Sequence, residues 1–82
     1  MPEKMEASFS ILAMSIASSA VMAMGLAPDP QNGKLAKDKN MARFNIDLLV
    51  MLKEKTKNNL TNDEKAFLDS VISDLQMKFV QV

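Results

Sequence analysis

The sequence predicts an all-α fold: three helices in one domain, the last two paired as an antiparallel hairpin, assembled into a dimeric helical bundle. Three observations carry this. An uncharged run from Ala7 to Pro28 is far longer than a strand. Apolar residues recur at helical spacing through the second half of the chain. Residues that start and stop helices bracket each segment.

Eighty-two residues make one domain, and a chain this short buries little core by itself. With 48% hydrophobic residues, two Gly and three Pro, the composition is that of an ordered fold rather than a disordered tail. Cys and His are both absent, so disulfides, thiolate metal sites and the commonest neutral-pH general base are excluded. Ten basic residues balance ten acidic ones, which leaves no electrostatic footprint for nucleic acid. The expectation is a chain without catalytic residues, metal or cofactor.

Helix 1 is placed at about 6–24. Phe9, Ile11, Leu12, Met14, Ile16, Val21, Met22 and Met24 fall on all sides of it, with Ala and Ser between them. Gly25 supplies the left-handed position that ends a helix, and Pro28 and Pro30 reinforce the stop. Residues 25–37 form a linker: prolines hold it extended and Asn32-Gly33 marks a tight turn. The linker lacks the G-x-x-x-x-G-K spacing of a phosphate loop.

Helix 2 is placed at about 38–57, with Asp38 as its cap. Met41, Phe44, Leu48, Met51 and Leu52 make its main stripe, widened by Ala42, Ile46, Leu49 and Val50. Lys53, Lys55 and Lys57 suit the negative end of the helix dipole. Asn58 or Asn59 takes the left-handed stop. Helix 3 is placed at about 62–80 and opens on a capping box, Thr61 with Glu64 three residues on. Leu68, Val71, Ile72, Leu75 and Phe79 form its apolar stripe, and Asp74 and Lys78 an i, i+4 ion pair.

The uncharged run has the length of a membrane span, but five serines dilute it and neither flank is richly basic. A signal peptide needs a positive start, whereas "MPEKME" sets Lys4 against Glu3 and Glu6. Burial against protein explains the serines better. Ser15, Ser19 and Ala23 are spaced by four, as are Ala13 and Ala17, which allows close helix packing and hydroxyl bonds to the i−4 carbonyl. Helices 2 and 3 cover only part of such a helix, so a second copy is expected on the remainder. The expected oligomer interface is Leu12, Ser15, Ile16, Ser19, Ala20, Met22 and Ala23. Membrane association through helix 1 is the alternative.

Asp47, within "NIDLLVML", is a candidate buried polar site, either a ligand or partner contact or a carboxylate at the stripe's edge. Of the eight Met residues, Met14, Met22, Met24, Met41, Met51 and Met77 lie in apolar stretches and are expected to pack the core.

The blocks "IASSAVMAMG", "IDLLVMLKEKTKNNLT" and "DLQMKFV" resemble a family of short bacterial domains of unknown function, uncharacterised family 1844. The matching positions include Ala17 to Ala20, Pro30, Gly33, Ile46 to Leu49, Lys55 to Lys57, Asn59 to Thr61, and Asp74, Leu75 and Met77. The sequence departs at Asn58, where the family has Gly, and at Phe79, where it has Tyr. The resemblance implies a bacterial cytoplasmic protein and carries no activity. The function expected is a non-enzymatic assembly or adaptor module, acting as a homodimer and through an unidentified protein partner, without nucleic acid.

Overall fold

The computed structural model describes residues 8–82 and contains three helices, α1 (Phe9–Ala23), α2 (Lys39–Lys55) and α3 (Asn62–Phe79). The expected start of helix 1 at Glu6, and the charges of "MPEKME", lie outside the described residues.

Each helix begins where a side chain accepts a bond from its first-turn amides. Ser8 accepts from the Ile11 N–H at 3.1 Å, and Asp38 accepts from Met41 at 3.1 Å. Thr61 and Glu64 close both bonds of the capping box: the Glu64 N–H donates to the Thr61 hydroxyl at 3.1 Å, and the Thr61 N–H donates to the Glu64 carboxylate at 2.9 Å.

The stops are equally local. α1 ends in a Schellman motif: the Gly25 N–H donates to the Met22 carbonyl and the Leu26 N–H to the Val21 carbonyl, with Gly25 at φ +78°. The linker then folds on Asp29, whose carboxylate accepts from the Gln31 N–H at 2.8 Å and whose carbonyl accepts from Gly33 at 2.7 Å. The Asp38 N–H donates to the Ala23 carbonyl at 2.7 Å, so the start of α2 is tied to the end of α1. α2 stops at Lys55, two residues short of the expected Lys57, and Asn58 takes the positive φ of the next turn, +70°.

Successive helices run antiparallel. The tie between Ala23 and Asp38 reverses the chain between α1 and α2. Lys39 at the start of α2 lies 5.3 Å from the ring of Phe79 at the end of α3, while Lys53 near the end of α2 pairs with Asp69 in the first half of α3. The expected hairpin is therefore present.

The core is small residues against large ones. Ala13, Ala17, Ala20 and Met24 of α1 and its cap meet Ala42, Ile46 and Leu49 of α2 and Leu68, Ile72 and Leu75 of α3. The stripe expected for α3 is the one buried. The stripe expected for α2 is not: Ala42, Asn45, Ile46 and Leu49 face inward, while Met41, Phe44 and Met51 are exposed and Leu48 is half-buried. Alanines on α1 favour close approach of the helices, and a close approach selects the α2 face that carries Ala42 over the bulkier one. The radius of gyration is 13.4 Å, against about 12 Å for a compact chain of this length, and the extents are 37 × 35 × 16 Å. The helices form a flat body with broad faces.

Candidate functional site

Helix α1 divides its small residues by chemistry. The alanines at 13, 17 and 20 face the core. Ser15 is exposed and Ser19 half-buried, and each hydroxyl donates to the carbonyl four residues back, Ile11 at 2.9 Å and Ser15 at 3.2 Å. The face expected to join two copies is therefore split. Ala20 is fully buried within its own chain and is removed from that face, because it packs in the α1–α2–α3 core. Ile16, Met22 and Ala23 are half-buried, and Leu12 and Ser15 remain outward beside Ile11.

Helix α2 carries the larger exposed surface. Phe44 is 55% exposed and Met41 49%, with Met51 and Leu48 along the same side. A shallow groove joins this side to α1: Ser19, Met22 and Ala23 line it with Met41 and Asn45. Asp29, Lys34 and Asp38 line the same groove, so apolar and charged side chains meet where the two helices join.

Two sequence expectations are corrected here. Asp47 is exposed, because the helix buries the face of Ala42, Ile46 and Leu49 and turns Asp47 to the other side. The buried polar side chain is Asn45, 8% exposed, whose amide donates to the Met41 carbonyl at 2.9 Å. Its self-contained bond within the helix gave it no distinguishing signal in the sequence. Among the six methionines expected in the core, Met24 is buried and Met22 half-buried, whereas Met14, Met41, Met51 and Met77 are exposed. Exposed, unbranched thioethers suit a surface that adapts to a partner.

The match to known families covers residues 6–81 and is to a domain of unknown function, DUF1844. The chain belongs to this family. No curated protein and no solved structure matches it. For this DUF1844 domain, the block Lys55–Thr61 builds the turn between α2 and α3, and Asn58 and Phe79 are both placed by backbone and packing. Asn58 holds the left-handed turn that Gly adopts readily, and half-buried Phe79 packs at the core's edge under Lys39.

The remaining concave features of the domain are open. The α2–α3 turn borders a cleft of about 440 Å³ lined by Lys53, Lys57 and Lys65 together with Glu54 and Leu68. Asp69 holds the Lys53 ammonium above its usual pKa, first through their hydrogen bond and then through charge attraction. A groove of about 540 Å³ runs between α1, the linker and α3, with Val21, Pro30 and Val71 on its walls and Asp74 and Lys78 paired at 2.9 Å. Among the described residues there is no group of three or more acidic, His or Cys side chains suited to a metal. No helix among them is long and apolar enough to cross a membrane. The 15 residues of α1 span about 22 Å, short of a hydrocarbon core of about 30 Å. As described, α1 is thus too short to serve as a spanning anchor.

Proposed function

We propose that this DUF1844 domain is a non-enzymatic helical assembly module whose copies associate and engage protein partners through the apolar surface of α1 and α2. One observation carries the reading: the exposed row of Met41, Phe44 and Met51 on α2, bordering the groove that Met22 and Ala23 of α1 line. Exposed side chains of this size, gathered on one side of a small chain, are the mark of an interaction surface. Aromatic and methionine side chains are also the residue types enriched in interface cores. The absence of His and Cys from the chain supports a binding role over an acid–base or thiol-dependent one. Operation in the bacterial cytoplasm, without cofactor, metal or nucleic acid, belongs to the same proposal.

Light scattering across a concentration series tests it. The expected mass rises from 9.1 kDa toward twice that value as concentration increases. Phe44→Asp should hold the chain at the monomer mass while leaving its helical circular dichroism intact. A wild-type chain that remains monomeric throughout the series rejects self-association.

A further inference from the structure

Cys, Trp and Tyr are all absent, so the eight methionines are the chain's only readily oxidised side chains. The six among the described residues differ in access. Met24 is 1% exposed and fills the core at the end of α1, and Met22 is half-buried. Met14, Met41, Met51 and Met77 are exposed. Met41 and Met51 flank Phe44 on one side of α2, about 15 Å apart along the helix. Met77 lies on α3, two positions beyond buried Leu75 and so about 200° around the helix from it. It points away from the bundle.

We infer that Met41 and Met51 are a reversible oxidation site that sets whether copies of the chain associate through α2. This rests on the reading that the row of Met41, Phe44 and Met51 joins copies. The chemistry is two-electron oxygen transfer from a peroxide. The thioether sulfur attacks one peroxide oxygen, and the S–O bond forms as the O–O bond breaks. The departing hydroxide takes the proton of the transferred oxygen and leaves as water, so the thioether is oxidised to a sulfoxide and the peroxide is reduced. A thiol-dependent reductase reverses the step: the sulfoxide oxygen leaves as water while a dithiol becomes a disulfide. A sulfoxide is polar and accepts hydrogen bonds, and the side chains of Phe44 and Leu48 between the two methionines have no donor to give it. Burying it against a second copy therefore strands a polar oxygen. In the separate chain both sulfoxides stay in water, and the core is spared because Met24 is out of reach. Association shields both sulfurs, separation exposes them, and an oxidised chain stays separate until it is reduced.

Timed treatment with hydrogen peroxide, read by site-resolved mass spectrometry, tests the site and its coupling to association. In dilute protein Met41, Met51 and Met77 should gain oxygen about tenfold or more faster than Met24, whose oxidation waits on opening of the core. At a concentration where light scattering finds dimers, Met41 and Met51 should slow while Met77 does not. The oxidised protein should keep its helical circular dichroism and dimerise about tenfold or more weakly. The variant Met41→Leu with Met51→Leu, close in volume, should dimerise as wild type does and continue to do so after peroxide, which assigns the loss to these two sulfurs. Oxidised wild type that dimerises as tightly as before, or a leucine variant that loses its dimers to peroxide as wild type does, overturns the switch and leaves assembly standing. Loss of the helical signal on oxidation also overturns it, since dissociation then follows from unfolding. Wild type that is monomeric before peroxide is added overturns the assembly reading and the switch together.

Discussion

Lys53 of α2 pairs with the Asp69 carboxylate of α3 at 2.8 Å, and this contact, with Lys39 over Phe79 at the far end, marks the antiparallel alignment of the two helices. The side chains are 49% and 40% exposed, so the pair sits in water-screened surroundings and sets alignment more than stability.

The pH dependence of this pair has a definite sign. The Lys53 pKa is raised from 10.5 in the folded chain, so its contribution is fully present below 10.5 and is lost as pH rises through the folded value. Lys53→Met should melt slightly below wild type at neutral pH. The gap should close in strongly alkaline buffer, where wild type loses the ammonium as well. Melting curves of the two proteins across that range check it; a gap unchanged at the alkaline end assigns the difference to packing of the lysine stem instead.

The alanine face of α1 makes a sharper prediction. Ala20 is fully buried, whereas Ser15 on the same helix is exposed. Ala20→Leu should destabilise by about 1–3 kcal/mol or more, since the added carbons have no room between closely packed helices. Ser15→Leu should stay within about 0.5 kcal/mol, losing only a hydroxyl bond to the Ile11 carbonyl. Denaturant titrations of both variants decide the matter. Equal losses at the two positions mean that the inward and outward faces of α1 are misassigned.

What the sequence made legible was local. Asp38, Thr61 with Glu64, Gly25 and Asn58 fix helix ends through bonds and backbone angles within a few residues, and each stands where its chemistry places it. The α3 stripe was legible too, because Leu68, Ile72 and Leu75 are the only large apolar row that its helix offers inward and its polar face is plain. Helix α2 misled because it carries apolar residues on two sides. Size favours the row of Met41, Phe44 and Met51, but the choice was made by α1, whose alanines accept the Ala42 side at short range. That is a relation between two helices, and no window along one of them contains it. The exposure of Asp47 has the same cause, since which α2 face turns inward decides between a buried carboxylate and one at the stripe's edge. The outward row that results is the candidate surface, so the error in the core and the finding of the site have one physical source.

The turn "TKNNLT" offers the last test, because one residue in it holds a conformation that its side chain resists. Asn58 has φ +70°, where a Cβ crowds the backbone and where Asn is tolerated better than most residues. Asn58→Gly removes the Cβ and should melt with wild type or slightly above it, the gain being offset by greater freedom in the unfolded chain. Asn58→Val keeps the same backbone demand with a β-branched side chain and should cost about 1–2 kcal/mol. Thr61→Ala removes the acceptor of the Glu64 N–H and should cost about 1 kcal/mol, independently of the turn angle. The three variants are compared by thermal melts at one fixed protein concentration, since self-association makes the midpoint depend on it. The order expected is Gly at or above wild type, then Thr61→Ala and Asn58→Val below it. If Asn58→Val melts with wild type, the positive φ is not required, and the reversal between α2 and α3 is made by another residue of the turn.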